Sequence, residues 1–246
     1  MHHCFVQPDQ IGADQVVITG EDARHISRVL RMTAGDELWV RTGSDDRHIR
    51  CRIVSAGEDE VLADIEWTEH AQAELPCEIV LLQSLPKGDK MEWIIQKAVE
   101  LGASRIVPMV SARSIVRLEG SRAERKVQRW NAISESAANQ SHRDKIPQVT
   151  AICSYEEALR QAAACTHVLI PYERAEGMEE TRRILQSIRP GESVSVMIGP
   201  EGGFEAAEVE AAIAAGAAPI SLGHRILRTE TAGMTLLAAL MLQLDS

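Results

Sequence analysis

The residues best suited to chemistry lie in a glycine-rich segment, Gly199-Pro200-Glu201-Gly202-Gly203-Phe204, between the apolar run 194–198 and a helical pattern that starts at Glu205. Its three glycines let the backbone approach a ligand closely. The free N–H groups at the start of the following helix favour polar or anionic ligand atoms. The segment predicts a small-molecule loop, with a tight strand-to-helix turn as the alternative. The sequence contains neither a GxGxxG fingerprint nor a P-loop, so the segment is neither of these sites.

A second candidate segment spans residues 221–232, where a polar loop leads into the very apolar helical pattern 231–244. The loop carries Arg225, Arg228 and Glu230. The apolar side chains of the helix must be buried in the core or against a partner subunit. Arginines where the chain enters such a helix predict that at least one meets a ligand or a carboxylate.

Strands and helices alternate after residue 77, and this alternation predicts how the two segments are positioned. Continuous apolar runs are typical of strands buried on both faces of a parallel sheet. These runs span residues 78–82, 105–110, 167–170 and 194–198, and helical patterns span 90–101, 122–140, 205–215 and 231–244. The pattern predicts an α/β fold whose ligands bind at the carboxyl ends of the strands.

Residues 1–70 predict a separate small β-rich domain, with strands at 16–18, 37–41, 48–54 and 61–67. Residues 68–76 have the composition of a linker, so the second domain is expected to span 71–246. One helix is predicted after Thr19, with Thr19 and Asp22 as a capping box. In that helix three arginines would share one face, opposite Ile26, Val29 and Leu30. This face would form an RNA-binding surface. The three arginines are Arg24, Arg28 and Arg31.

The net charge of −10 argues by itself against a nucleic-acid partner, but the charge is unevenly distributed. Residues 24–52 carry seven arginines and four acidic residues, and residues 113–145 carry eight basic and four acidic residues. Two locally basic surfaces are compatible with binding phosphates, although solvated helix faces would look the same.

The sequence also predicts the compartment. It contains no apolar run of roughly 18 residues, the length that a membrane helix needs. Its start lacks the pattern of a signal peptide. The five scattered cysteines contain no CxxC pair, which argues against a metal cluster or a disulfide framework. We therefore expect a cytoplasmic protein without a membrane segment and without a bound metal.

The two candidate segments together resemble the SPOUT methyltransferases, and more narrowly the bacterial 16S ribosomal RNA uridine-N3 methyltransferases. The resemblance rests on Gly199-Pro200-Glu201-Gly202-Gly203-Phe204 and on Leu222-Gly223-x-Arg225-Ile226-Leu227-Arg228-x-Glu230-Thr231-Ala232. Further matching segments follow in the expected order along nearly the whole chain. They are His25-x-x-Arg28-Val29-Leu30-Arg31, Lys87-Gly88-Asp89-Lys90-Met91-Glu92-Trp93-Ile94-Ile95-Gln96-Lys97, Glu100-Leu101-Gly102, Arg129-Trp130 and Gln140-Ser141-x-Arg143. The family often has Glu where Asn139 stands here.

The resemblance implies a PUA-like RNA-binding β-barrel at the N-terminus. It also implies an α/β domain with a parallel sheet, whose last segment forms a trefoil knot. Such knots are an exception, because protein chains are almost never knotted. The resemblance further implies S-adenosylmethionine as the cofactor and a homodimer as the working unit. The substrate would be one uridine in the decoding region of 16S rRNA, within the small ribosomal subunit, methylated at N3.

On this resemblance we assign roles to individual residues. Arg228 would stabilise the charge of the deprotonated uracil, and Glu230 is the candidate proton acceptor. The cofactor would contact a set of apolar side chains and exposed backbone, namely Leu169, Gly199, Pro200, Glu201, Gly202, Leu222, Gly223, Ile226 and Leu227. RNA would contact Arg24, Arg28, Arg31, Lys97 and Arg143. Lys97 and Glu100 could instead form an ordinary surface pair.

Two other classes of function stay open at this stage. A glycine-loop phosphotransferase would need acidic metal ligands at the sheet edge, and none stands out in the sequence. A non-enzymatic RNA-binding protein would use the α/β domain only for dimerisation. Within the SPOUT interpretation, transfer RNA or a ribose hydroxyl is the alternative acceptor.

Overall fold

The computed structural model describes residues 2–70, 73–173, 175 and 177–245. The chain forms two compact units. The first contains residues 1–74 and 138–146, and the second contains residues 75–137 and 147–246. The sequence-based boundary near residue 70 did not include the segment 138–146 in the first unit.

The first unit is built on a five-stranded sheet in the order β1-β3-β4-β5-β2. Its strands are β1 (His2–Phe5), β2 (Gln15–Thr19), β3 (Glu37–Arg41), β4 (Arg47–Ala56) and β5 (Glu60–His70). β1 pairs with β3 in parallel, and the remaining pairs are antiparallel. Alternate residues, such as Leu38 and Val40, form the core of the unit because side chains alternate across a strand.

The helix of the first unit differs from its prediction. α1 (Gly20–Arg24) continues into a π-helical turn, His25–Val29, in which the Leu30 amide donates to the His25 carbonyl at 2.9 Å. The predicted capping box is wrong, because no side chain caps this helix. The wider turn rotates the later residues, so Val29 and Leu30 are exposed rather than buried. Arg31 lies beyond the helix with a φ of 55°.

Residues 138–146 are held in the first unit by buried charged side chains. The Arg41 guanidinium is buried and donates to the Arg143 carbonyl and, at 3.2 Å, to Asn139 Oδ1. Arg143 donates through two nitrogens to the Glu74 carboxylate. His48 Nε2 lies 2.5 Å from Oδ1 of the buried Asp144. Buried charges of this kind need their partners, so the segment depends on the first unit.

The second unit is an α/β domain with an entirely parallel sheet, as the sequence predicted. Its strands follow the order β12-β10-β11-β6-β7-β8, and β9 also pairs with β7. They are β6 (Glu78–Ser84), β7 (Arg105–Val110), β8 (Gln148–Val149), β9 (Cys153–Ser154), β10 (His167–Pro171), β11 (Ser193–Ile198) and β12 (Ala218–Ile220).

Helices cover both faces of this sheet. They are α2 (Lys90–Glu100), α3 (Gly120–Gln140), α4 (Tyr155–Ala163), α5 (Met178–Ser187), α6 (Ala206–Ala214) and α7 (Thr229–Leu244). α4 and α6 pack on the face that presents Val80, Leu82 and Met197. α7 packs on the other face, where a Cβ on Gly233 would lie 3.6 Å from Ile198. No helix in the described part of the chain is long and apolar enough to cross a membrane.

Candidate active site

A cavity of about 500 Å³ lies in the second unit, at the carboxyl ends of β10, β11 and β12. Its walls come from Pro171 and Tyr172 at the end of β10, from residues 197–204 at the end of β11 and in the glycine-rich segment, and from the loop 221–227 after β12. The volume is typical of a site for a small organic ligand or cofactor. The cavity lies at the sheet edge where the strand pattern predicted a ligand.

Most of the predicted cofactor residues meet at this cavity. The residues that line it are Gly199, Pro200, Glu201, Gly202, Leu222, Gly223, Ile226 and Leu227. Leu169 is the exception, because its side chain is buried inside β10, two residues before the strand ends, and it is not among the lining residues. Tyr172, which the sequence did not single out, lines the cavity instead.

The glycine-rich segment is both a tight turn and a wall of the cavity. The Gly203 amide donates to the Pro200 carbonyl at 2.9 Å, and Gly203 has a φ of +68°. A Cβ on Gly199 would lie 3.1 Å from the Phe204 amide nitrogen and 3.2 Å from the Gly203 carbonyl carbon. Backbone atoms yield less readily than a flexible side chain, so any side chain at position 199 would have to displace this turn.

Arg113 binds this turn through a hydrogen bond that no sequence motif predicted. Arg113 follows β7, and its Nη1 donates to the Gly202 carbonyl at 2.8 Å. Its Nε lies 3.8 Å from Glu205, and Arg113 itself lines the cavity. Its position after a strand of the parallel sheet is the only sequence feature that could have suggested this role.

Thr229, the first residue of α7, forms hydrogen bonds to residues at the ends of β6 and β11. Its hydroxyl donates to the Gly199 carbonyl at 2.6 Å and accepts from Gln83 Nε2 at 2.9 Å. The Gln83 side chain and Thr229 are buried, and Nε2 of Gln83 also donates to the Ser84 carbonyl. The hydroxyl therefore connects the ends of β6 and β11 with the start of the last helix.

Lys90 connects the two acidic residues of the site. Its Nζ lies 3.2 Å from Glu201 Oε1 and 3.4 Å from Glu230 Oε2. Hydrogen bonding to Glu201 raises the pKa of Lys90. Partial burial alone would raise the pKa of Glu201, but the amide of Lys87 and the Lys90 ammonium outweigh it and hold that pKa below its ordinary value. The Glu201 carboxylate is thus directed towards α2.

The candidate catalytic residues flank the cavity rather than line it. Arg228 is exposed and immediately precedes α7, and Glu230 is half-buried in the first turn of that helix. Between them, Thr229 lines the cavity. Neither Arg225 nor Arg228 forms an ion pair with a described residue, but Arg225 lines the cavity, so the prediction that one of these arginines meets a ligand stays a prediction.

The predicted RNA-binding residues already have acidic partners in several cases. Arg28 pairs with Glu58, and Arg24 lies 4.0 Å from Asp59; both arginines remain largely exposed. Lys97 Nζ lies 2.8 Å from Glu100, the ordinary pair that the sequence left open.

Arg143 differs from these surface residues. It is 3% exposed and bound to Glu74, so its predicted direct contact with RNA is corrected to a structural role in the first unit. No three His, Cys, Asp or Glu side chains in the described ranges are placed to hold a metal ion.

Comparison with known proteins decides the family. The model of the RNA methyltransferase domain matches residues 73–241, and that of the RNA methyltransferase PUA domain matches residues 18–66. Ribosomal RNA small subunit methyltransferase E of Bacillus subtilis is 38% identical over 232 residues, which cover 93% of this chain and 90% of that protein. The chain belongs to the ribosomal RNA small subunit methyltransferase E family. The resemblance inferred from the sequence motifs is thereby confirmed.

Solved structures of similar proteins have the same fold. The crystal structure of ribosomal RNA small subunit methyltransferase E from Neisseria gonorrhoeae bound to S-adenosyl methionine has a TM-score of 0.85 and 32% identity, and covers 98% of this chain and 97% of that one. The methyltransferase Lpg2936 from Legionella pneumophila, in complex with bound SAM, has a TM-score of 0.86 and 28% identity, and covers 98% and 96% of the two chains.

Proposed function

We propose that this chain uses S-adenosylmethionine to methylate N3 of one uridine in the decoding region of 16S rRNA, within the small ribosomal subunit. The observation that carries the proposal is the cavity between the glycine-rich segment and the loop 221–227, in a chain whose relatives bind this cofactor. Work on a ribosomal substrate would place the protein in the cytoplasm.

The cavity fits the cofactor in size and in chemistry. Apolar side chains such as Leu222, Ile226 and Leu227 would hold an adenine ring, and the bare backbone at Gly199 and Gly202 allows close approach. Arg113 and Glu173 also line the cavity and offer charges of both signs to the amino-acid end of the cofactor. When bound, the cofactor supplies an electrophilic methyl group on a sulfonium.

The residues beside the cavity must prepare the acceptor nitrogen. Uracil N3 carries a proton, so its lone pair becomes available only when that proton leaves. Arg228 would donate to the uracil carbonyl oxygens on which negative charge develops. Glu230 would accept the proton through Oε1, because its Oε2 already accepts from Lys90. Holding both reactants in line supplies much of the remaining acceleration.

RNA would be bound by Arg24, Arg28 and Arg31 in the first unit, and Lys97 is a further candidate. Arg24 and Arg28 are exposed and their acidic partners Glu58 and Asp59 lie at the surface, so phosphates can compete for them. The target base would be turned out of its stack to reach the site.

We further propose a homodimer and a trefoil knot in the second unit. On α7, Leu242 is 73% exposed and the neighbouring Met241 is half-buried, as on a helix that a second subunit would cover. For the knot, the support is that the chain returns after β12 to bind Gly199 and Gln83 through Thr229, beside the middle strands of the sheet.

Methyl transfer from labelled S-adenosylmethionine to naked 16S rRNA and to isolated small subunits tests this function, with nucleoside identification of the product. We expect N3-methyluridine at a single site. Cofactor binding without incorporation into either substrate would contradict the proposed acceptor and leave transfer RNA as the next candidate. Methylation at another atom would contradict the roles of Arg228 and Glu230.

A further inference from the structure

A row of planar side chains crosses four strands on the outer face of the first unit. His3 of β1 lies opposite Trp39 of β3, Trp39 lies opposite Arg50 of β4, and Arg50 lies opposite Trp67 of β5. A register shift beside Arg50 leaves Glu66 as an extra residue in β5. These four cross-strand neighbours, together with His142, are called the ring row below.

The rings of this row lie close to one another. The centroids of His3 and His142 are 4.1 Å apart, those of His3 and Trp39 are 6.3 Å apart and nearly parallel, and those of Trp39 and Trp67 are 6.4 Å apart. The Arg50 guanidinium carbon lies 5.2 Å from the Trp67 ring centroid. Neighbouring π faces therefore form one surface rather than isolated contacts.

The ring row is accessible and carries little net charge. Trp67 is 52% exposed and His142 is exposed, while His3 and Trp39 are half-buried. Burial, and then the neighbouring His142, lower the pKa of His3 to about 3, so its ring is neutral at physiological pH. Arg50 is paired with Glu37 and Glu66. A partner would therefore meet ring faces more than unpaired charge.

We propose that the ring row is a platform on which unpaired bases of the RNA substrate stack, with Trp39 and Trp67 as the main contacts. Sheet faces that present aromatic rings on neighbouring strands bind two or three bases of single-stranded RNA in this way. Stacking tolerates any base, because every base has a π face. This assignment rests on the proposed function, since it takes RNA as the partner.

The surroundings of the ring row favour RNA over a protein partner. Arg52 lies two residues after Arg50 in β4, opposite Glu37, so it is on the same face of the sheet as Trp39. Its side chain is 46% exposed and is paired with Glu37 and Glu66 at that face, so an arginine for which a phosphate can compete lies beside a surface that can bind bases. A strand of RNA presents both groups at once.

The test measures binding of the full-length protein to a labelled, uridine-rich single-stranded RNA by anisotropy, at several salt concentrations. Trp67→Leu and Trp39→Leu remove a π face but keep an apolar side chain. Loss of one stacked base costs about 1–3 kcal/mol, so we expect Kd to rise about five- to 150-fold. The dependence of Kd on salt should stay unchanged, because no phosphate contact is removed. Affinity for S-adenosylmethionine should also stay unchanged.

Two further variants separate stacking from folding. Trp93→Leu alters another partly exposed tryptophan, in the second unit, and should leave RNA binding unchanged. Trp67→Phe keeps an aromatic face and should retain most of the affinity. If Trp67→Phe weakens binding as much as Trp67→Leu, the stacking proposal is overturned.

The remaining outcomes distinguish this inference from the proposed function. If both Trp→Leu variants bind RNA as the unaltered protein does, the platform is overturned while the function stands, and a ribosomal protein becomes the candidate for this surface. If the unaltered protein binds S-adenosylmethionine but no RNA, both the platform and the proposed function are overturned.

Discussion

Replacing Thr229 by Val tests whether the start of α7 holds the cavity in shape. Valine has nearly the same volume as threonine but no hydroxyl. The change leaves the Gly199 carbonyl without its 2.6 Å donor and removes one of the two acceptors of Gln83 Nε2, in a buried environment. An unsatisfied buried polar group costs about 1–3 kcal/mol, and we expect a loss of about 2 kcal/mol in the free energy of unfolding.

That loss should appear in two measurements. For a protein of this size, about 2 kcal/mol corresponds to a fall in Tm of about 4–8 °C. Without this hydrogen bond, the Gly199 backbone that forms part of the cavity wall would also be less well ordered in the cofactor-free protein. Titration calorimetry with S-adenosylmethionine should then show Kd raised about five- to thirtyfold, the equivalent of about 1–2 kcal/mol of lost preorganisation.

Two matched variants control this experiment. Thr229→Ser keeps the hydroxyl and should behave nearly as the unaltered protein does. Thr235→Val makes the same chemical change at an exposed position of the same helix, where little should happen to either quantity. A Thr229→Val protein with lowered Tm but unaltered cofactor affinity would refute the idea that this hydroxyl shapes the cavity. Unaltered values of both would refute the structural argument as a whole.

Three other substitutions test the remaining parts of the site and fold. Gly199→Ala forces a Cβ to within 3.1 Å of the Phe204 amide nitrogen, so calorimetry should show at least a tenfold loss of cofactor affinity; unchanged affinity would contradict the packing of the turn. Arg228→Ala should abolish methyl transfer while calorimetry shows full cofactor affinity, and surviving turnover would rule out its role. Asp144→Ala removes the buried partner of His48 and should lower the stability of the first unit by about 3 kcal/mol in urea unfolding; a loss below about 1 kcal/mol would contradict a tightly held segment.

Four strands of the second unit, β6, β7, β10 and β11, could be predicted because their side chains are buried on both sides. Residues 79–82, for example, are all apolar with no polar alternation, and this pattern is typical of a parallel sheet. Helix α4 was missed, although Ser154 accepts from the Glu157 amide and the Ser-x-x-Glu spacing is a capping signal. The loops after β11 and β12 were identified from their glycines and arginines, and both line the cavity.

Features that depend on distant partners could not be predicted from local patterns. The π-helical turn after α1 changes which residues face the core. The 3.6-residue periodicity of an α-helix does not predict such a turn. Arg143 looked like a surface arginine because its partner, Glu74, lies 69 residues away in the chain. Arg113 has a still more distant partner, the Gly202 carbonyl, which lies 89 residues away in the chain.

Because residues 138–146 belong to the first unit, a single cut cannot separate the two units of this protein. The polypeptide passes from one unit to the other three times, after residues 74, 137 and 146. A single cut near residue 70 therefore produces no clean pair of modules, since the C-terminal fragment would keep Asp144 and lose His48 and Arg41. The two units are interleaved along the sequence, so a single recombination crossover at any one of the three boundaries leaves at least one unit assembled from two parent sequences.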